Sequence, residues 1–165
     1  LEIEVNSMPG KADMILTGQM GDVMQESARI ALTYVRSIVS KKPYNVDVEF
    51  FENNCIHLHI PEGAVPKDGP SAGVTMATAI LSAVARIPVK ADIAMTGEIN
   101  LRGKVLPIGG LKEKLLAAKS AGIKTVLVPI KNKSDVEEFD KEITDGIQIE
   151  YMTDMKQVLE NALDI

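Results

Sequence analysis

The chain has 165 residues, of which 45% are hydrophobic and 25% charged, and its formal net charge is −5 at pH 7. This length predicts a single domain, 1–165, and an aromatic content of 4% without tryptophan predicts an aliphatic core. The acidic charge argues against a nucleic-acid or anionic-membrane surface, and a single cysteine excludes an internal disulfide. No signal peptide or apolar stretch of membrane-spanning length is evident. Because the first residue is Leu1, we expect the chain to be part of a longer protein.

The first third of the chain predicts two strands followed by a helix. Apolar and polar residues alternate in Leu1–Met8, which predicts a strand turned at Pro9-Gly10, and Asp13–Thr17, ended by Gly18 and Gly21, is its expected hairpin partner. Apolar residues then recur at helical spacing from Asp22 to about Ser40. The next segment, 44–54, is ambiguous between a strand and a loop.

Both histidines lie in the strand predicted over Ile56–Ile60, with His57 and His59 on one face. Two histidines at this spacing without a clear third ligand are weak evidence for a metal site. A Ser-His-Asp triad would have to use one of them, but no Gly-x-Ser-x-Gly motif is present. The phosphate-binding and dinucleotide-binding glycine motifs are also missing, so we expect no ATP site in this domain.

The second half alternates strands with helices, which predicts an α/β or α+β fold with a mixed sheet. We see no repeat and no internal linker. The predicted elements are a helix from Ser71 to Arg86, a strand Ile93–Ile99, a turn at 100–104, an extended segment Val105–Ile108, a helix Leu111–Ala121, a strand Thr125–Ile130, a short helix Asp135–Phe139, a strand Ile147–Tyr151 and a helix Met155–Leu163.

Ser71 stands where a turn-rich segment, Pro66–Gly73, enters the long apolar helix. The free N–H groups at a helix N-terminus and the positive end of its dipole favour a nearby negative charge. A serine nucleophile that generates an oxyanion would gain from this position. The alternative is that Ser71 only caps the helix.

Lys114 is the one charged residue that falls within the apolar arc of the helix predicted over Leu111–Ala121. On a helical wheel it lies at about −60° from Leu111, whereas Lys112 lies on the polar side. Burial disfavours the ammonium form, so an inward lysine becomes able to accept the proton that a serine nucleophile must lose. The alternative is that its stem covers apolar surface while its amine reaches water.

Several segments resemble, in order and over nearly the whole chain, the proteolytic domain of the Lon proteases, bacterial and organellar type. The fold that this resemblance implies is a Lon-protease-type domain, similar to domain 2 of ribosomal protein S5. The matching segments are Gly-Asp-Val-Met-Gln-Glu-Ser (21–27), Ile-His-Leu-His-Ile-Pro-Glu-Gly-Ala (56–64), Pro-Lys-Asp-Gly-Pro-Ser-Ala-Gly (66–73), Ala-Met-Thr-Gly-Glu-Ile (94–99), Leu-Arg-Gly-Lys-Val-Leu-Pro-Ile-Gly-Gly-Leu-Lys-Glu-Lys-Leu-Leu-Ala-Ala (101–118) and Gly-Ile-Lys-Thr-Val-Leu-Val-Pro (122–129).

The resemblance implies an endopeptidase with a Ser-Lys dyad, in which Ser71 is the nucleophile, Lys114 the general base and Thr96 a hydrogen-bond partner of the lysine. Supporting roles fall on Glu4, His57, His59 and Asp68. No departure from the family pattern is evident at these positions.

For the protein as a whole, the resemblance implies ATP-dependent hydrolysis of unfolded or damaged proteins in protein quality control by a homo-hexamer. It implies no cofactor in this domain; ATP and magnesium would bind a missing AAA+ ATPase module, and a substrate-recognition region would also be absent. The expected location is the cytoplasm, or the mitochondrial matrix for an organellar protein. The alternatives are a non-catalytic Lon-like assembly module of an ATP-driven machine, which would lack the serine and lysine, and an amidase or esterase that uses the same dyad.

Overall fold

The computed structural model describes all residues 1–165, which form a mixed α/β domain of small sheets and helices. The elements, in chain order, are β1 (Glu4–Pro9), β2 (Asp13–Thr17), α1 (Asp22–Ile38), α2 (Phe50–Asn53), β3 (Asn54–His59), α3 (Gly73–Ala85), β4 (Ile93–Met95), β5 (Glu98–Ile99), β6 (Val105–Leu106), α4 (Leu111–Ser120), β7 (Thr125–Pro129), a 3-10 turn (Ile130–Asn132), α5 (Lys133–Glu138), α6 (Lys141–Thr144), β8 (Gln148–Met152) and α7 (Met155–Ala162).

The first sheet has the strand order β1-β3-β2, so the predicted hairpin between the first two strands is wrong. β3 lies between them, antiparallel to β1 and parallel to β2. A parallel pair needs a long connection, and α1 supplies it between β2 and β3. The central place suits β3 because Ile56, Leu58 and Ile60 on its inner side are almost completely buried. The ambiguous segment 44–54 contains α2, and its last residue begins β3.

The long apolar helix forms as predicted, although it begins at Gly73 rather than at Ser71. α3 packs against α1 and against β1, in the middle of the main core. A Cβ atom at Gly73 would lie 3.2 Å from Ser27 Oγ and from the Ile99 nitrogen. The absence of a side chain at Gly73 therefore lets the start of α3 approach α1 and β5 closely.

The second sheet is parallel, with the order β4-β7-β8 and β7 at its centre. Leu127 on β7 belongs to the main core, whereas Val126 and Val128 belong to a smaller core that includes Leu111 and Leu115 of α4. β7 is thus buried on both faces, as the central strand of a covered parallel sheet should be. Because Leu111 and Leu115 pack against this sheet, α4 lies on one of its faces.

The strand predicted over Ile93–Ile99 is interrupted at Thr96 and Gly97. β4 pairs with β7, whereas β5 pairs with β6 in a separate two-stranded sheet. The Thr96 N–H still donates to the Leu127 carbonyl of β7, whereas the Gly97 N–H turns away from the sheet and donates to the Ser71 carbonyl. The interruption brings Thr96 and Gly97 to the start of α3.

The predicted fold class, α/β with a mixed sheet, is confirmed. The largest fully buried side chains are aliphatic, as the composition predicts. None of the helices combines the length and the apolarity needed to cross a lipid bilayer.

Gly103 is a position at which an added methyl group should cost considerable stability. Its φ is +82°, and a Cβ atom there would overlap the ring of Tyr34. Left-handed backbone costs a residue other than glycine about 1–3 kcal/mol, and overpacking costs about 1–3 kcal/mol more. We therefore expect Gly103→Ala to lower the free energy of unfolding by roughly 2–6 kcal/mol, as measured by urea denaturation.

Gly63→Ala is the matched control, because no atom lies within 4 Å of the corresponding Cβ position and its φ is not in the left-handed region. We expect this control to change the free energy of unfolding by less than about 1 kcal/mol. Equal unfolding midpoints for the two variants would contradict the tight packing of Tyr34 on Gly103.

Candidate active site

Ser71 and Lys114 are 43 residues apart in the chain, and the fold brings their side chains together. Lys114 Nζ donates a hydrogen bond to Ser71 Oγ at 3.1 Å. Ser71 is half-buried and lies two residues before α3, whereas Lys114 is the fourth residue of α4. The smaller core beneath α4 and the main core around α3 hold the two elements in place.

The hydroxyl of Ser71 does not cap α3. The N-cap residue is Ala72, and no side chain accepts a hydrogen bond from the first turn of this helix. The alternative that Ser71 is only a capping residue is therefore wrong. The partner of the Ser71 hydroxyl is the amine of Lys114.

The main chain of Ser71 is fixed through its carbonyl group. The Gly97 N–H donates to Ser71 O at 2.9 Å, and Thr96 Oγ1 donates to the same oxygen at 3.3 Å. Thr96 is 6% exposed, so its hydroxyl is held in a site with little access for water. Thr96 makes no hydrogen bond with Lys114; the structure joins it to the backbone of the serine instead.

The N–H groups of Ser71 and Ala72 donate to no acceptor in the chain. The next two N–H groups are occupied, since Gly73 donates to the Pro70 carbonyl and Val74 to the Gly97 carbonyl. Two free N–H groups at the start of a 13-residue helix can stabilise a negative oxygen, because the helix dipole points its positive end at them.

The predicted burial of Lys114 is wrong, because its side chain is exposed. The buried residues of α4 are Leu111, Leu115 and Ala118, which cover only about 60° of the helical wheel. Ala117, which the wheel places in the same apolar arc, is also exposed. Lys114 lies at the margin of the buried stripe, and from there it reaches Ser71. Lys112 is exposed and makes no hydrogen bond with Ser71.

Asp68 lies three residues before Ser71, but its carboxylate binds the start of α1. Its Oδ1 accepts from the Met24 N–H at 3.0 Å and from the Gly69 N–H at 2.8 Å. These bonds, that of Gly69 most of all, lower the pKa of Asp68 from its ordinary value. The carboxylate is therefore ionised at neutral pH.

His57, His59 and Glu4 lie on the outer face of the first sheet and make no hydrogen bond with Ser71, Lys114 or Thr96. His57 Nε2 lies 2.9 Å from Thr17 Oγ1, and His59 Nδ1 lies 2.7 Å from the same oxygen. The sequence did not indicate that Thr17 would contact the histidines, because its place beside both of them depends on the parallel pairing of β2 with β3. No group of three or more His, Cys, Asp or Glu side chains is arranged to hold a metal ion.

A serine hydroxyl that is hydrogen-bonded to a lysine amine, with free N–H groups at a helix start, has the make-up of a serine hydrolase site of the Ser-Lys type. The whole chain, residues 1–165, matches the family model described as the Lon protease (S16) C-terminal proteolytic domain. The chain belongs to this family, and the domain is accordingly of the peptidase class.

Relatives agree with this family. The chain is 61% identical to a Lon protease of Lachnoclostridium phytofermentans, 57% identical to Lon protease 1 of Syntrophobacter fumaroxidans and 53% identical to a Lon protease of Clostridioides difficile, over 163 residues in each case. Each match covers 99% of this chain and 20% of the relative. The chain thus spans about a fifth of the length of these relatives.

Proposed function

We propose that Ser71 is the nucleophile and Lys114 the general base of a peptide-hydrolysing site. The observation that carries this proposal is the hydrogen bond of 3.1 Å between Lys114 Nζ and Ser71 Oγ. A nucleophile and its base must lie within hydrogen-bond distance, and these are the residues in this chain that meet the requirement at the start of a buried helix. The chain retains both residues, which disfavours a non-catalytic assembly module.

In the proposed reaction, neutral Lys114 takes the proton of the Ser71 hydroxyl as Oγ attacks the scissile carbonyl carbon. The N–H groups of Ser71 and Ala72 bind the oxyanion that forms. Collapse of this intermediate breaks the C–N bond, and the leaving amine takes the proton from Lys114. A water molecule then attacks the acyl-enzyme, gives its proton to Lys114, and releases the carboxylic acid as Ser71 regains a proton.

Lys114 must be neutral before it can accept a proton, yet its side chain is exposed in the structure. Exclusion of water disfavours the charged form of an amine. We propose that the bound peptide itself covers Lys114 and supplies this exclusion. Thr96 acts on the nucleophile rather than on the base, since it holds the Ser71 carbonyl.

The proposed substrates are extended segments of unfolded or damaged proteins, because such segments can add to the edge of a sheet. β1 and β2 are the two edges of the first sheet. An open groove of about 520 Å³ lies where the segment that follows β2 meets the loop before Ser71. The groove is lined by Gln19, Met20, Gly21, Pro66, Lys67 and Asp68.

We further propose that this domain is the proteolytic part of a longer ATP-dependent protease that assembles as a homo-hexamer. The share of 20% that the chain covers in relatives named Lon protease supports the longer protein, whereas ATP dependence and the homo-hexamer rest on the resemblance to the Lon proteases. ATP and magnesium would bind the remaining part, since the domain has no phosphate-binding loop.

The proposed location is the cytoplasm, or the mitochondrial matrix for an organellar protein. We propose no membrane or nucleic-acid partner for this acidic domain, and supporting roles for Glu4, His57 and His59 remain part of the proposal.

Labelling by a fluorophosphonate, followed by mass spectrometry of the modified peptide, tests the nucleophile directly. We expect one adduct, on Ser71, which disappears in Lys114→Met but persists in Lys112→Met. An adduct on another serine, or none on the folded domain and none on the intact protein that carries it, would contradict the proposal. Labelling accompanied by cleavage of small amides or esters, but not of an unfolded protein, would favour the amidase or esterase alternative.

A further inference from the structure

The segment before Ser71 is held against residues 18–21, which follow β2, by backbone and side-chain contacts. Lys67 forms an isolated parallel bridge with Met20: its N–H donates to the Gln19 carbonyl at 3.0 Å, and its carbonyl accepts from the Gly21 N–H at 2.7 Å. The ammonium group of Lys67 also donates to the carbonyl oxygens of Gly18, Glu62 and Val65. These contacts end at Lys67, four residues before the serine.

Between Lys67 and Ser71, the side chain of Asp68 makes the last contact with another element. The Met24 N–H is the third of the first turn of α1 and has no acceptor within the helix. Asp68 Oδ1 accepts from it at 3.0 Å, which is the bond that a capping side chain ordinarily supplies. The helix cannot cap itself, because its N-cap residue is Gly21.

Gly21 is fitted to this contact. A Cβ atom at position 21 would overlap the carboxylate of Asp68. The backbone of Gly21, with φ −70° and ψ 173°, is one that any residue can adopt, so its conformation does not require glycine. Glycine at this position leaves the space that the Asp68 carboxylate occupies.

The residues that follow Asp68 restrict the loop little. Gly69 has φ +107° and no atom within 4 Å of its Cβ position, so its conformation is not set by packing. The Pro70 carbonyl accepts only from the nearby Gly73 N–H, so the next contact with a distant segment is at the Ser71 carbonyl, which Gly97 and Thr96 hold from the other side. Asp68 is therefore the upstream anchor of the nucleophile.

We propose that Asp68 is a positioning residue for the reaction: by binding the start of α1, it orients the loop so that Ser71 Oγ meets Lys114 Nζ. This inference rests on the proposed function of Ser71 and Lys114. It assigns Asp68 no contact with the substrate or with the reacting atoms. Its role is to couple the conformation of the catalytic loop to a rigid helix of the main core.

The test compares Asp68→Ala, Asp68→Asn and Gly21→Ser by the rate of fluorophosphonate labelling of Ser71 and by kcat and KM for an unfolded protein. Misplacement of a reacting group by about 1 Å costs on the order of 100-fold in rate. We expect Asp68→Ala to lower the labelling rate and kcat by about 10- to 100-fold with little change in KM. Asp68→Asn should lose less, because its amide oxygen still accepts from Met24.

Gly21→Ser separates positioning from helix stability. The new serine can cap α1 itself, so the unfolding midpoint should be kept, whereas its Cβ displaces Asp68. We expect the loss of labelling to match that of Asp68→Ala, and the double variant Gly21→Ser/Asp68→Ala to lose no more than either single variant. Glu62→Gln is the matched control: it removes the same charge from an exposed side chain of the same loop and should label at the wild-type rate.

Hydrogen exchange at the Met24 amide tests the contact without reference to activity, and exchange should be faster in Asp68→Ala. The positioning role would be overturned if Met24 exchange became faster in Asp68→Ala while Asp68→Ala and Gly21→Ser both labelled at the wild-type rate. The proposed function would then remain intact. Unchanged Met24 exchange in Asp68→Ala would overturn the contact itself. Failure of wild-type Ser71 to label, both in the folded domain and in the intact protein that carries it, would overturn the proposed function, and the inference with it.

Discussion

Replacement of Ser71 by alanine is expected to abolish peptide cleavage while the domain remains folded. The hydroxyl is hydrogen-bonded to Lys114 and caps no helix, so its removal leaves no buried polar group without a partner. The change in the free energy of unfolding should stay within about 1 kcal/mol. The rate of cleavage should fall by a factor of about 10⁴ or more, because no other group supplies the nucleophile. Cleavage of an unfolded protein by the intact protein that carries this domain is the measurement.

Ser120→Ala is a suitable control for this experiment. Ser120 is the last residue of α4, is exposed, and has no hydrogen bond through its side chain, so the variant should cleave as the wild type does. Residual turnover above about 1% of the wild-type rate in Ser71→Ala would show that another residue carries the reaction.

Replacement of Lys114 by methionine is expected to reduce kcat by a factor of about 10³ or more. Methionine keeps much of the length and the apolar stem of lysine but provides no amine to accept the serine proton. Stability should change little, because Lys114 is exposed and lies at the margin of the buried stripe of α4. Single-turnover kinetics of acylation measure the step in which the base acts.

Two further variants separate a base from a positive charge. Lys112→Met removes the same charge from the same helix two residues earlier and should keep wild-type activity. Lys114→Arg retains the charge, but a guanidinium group does not lose its proton in proteins. We therefore expect Lys114→Arg to be as inactive as Lys114→Met; near wild-type activity in Lys114→Arg would mean that Lys114 acts only as a charge.

The exposure of Lys114 also concerns how the site works. An amine buried within the domain would be kept from water in every state, whereas an exposed one is desolvated only when something covers it. In the proposed mechanism the covering group is the substrate, so a competent base forms as the peptide binds. In this proposal, a site open to solvent would favour extended peptides, because they can cover it along their length.

Much of the fold could be predicted from local patterns. Helical spacing predicted α1, the apolar run predicted the buried helix α3, and the segment Thr125–Ile130, rich in β-branched residues, predicted β7. These predictions hold because the spacing of the apolar residues along the chain shows which face of an element is buried. The same patterns could not show that β3 separates β1 from β2, since the order of strands depends on pairing between distant segments. They also missed the break at Thr96 and Gly97, whose backbone groups bond to Leu127 and Ser71.

The sequence by itself determined the residue types of the candidate site: a serine before an apolar helix, a lysine that departs from the polar face of α4, and the segments that resemble the Lon proteolytic domain. Only the tertiary structure decided their relations. It joined Lys114 to Ser71 across 43 residues, directed Thr96 to the serine carbonyl and Asp68 to the start of α1, and left Lys114 exposed. The reason is that a helical wheel gives the direction of a side chain about one axis, whereas its burial depends on which neighbouring elements pack against that side.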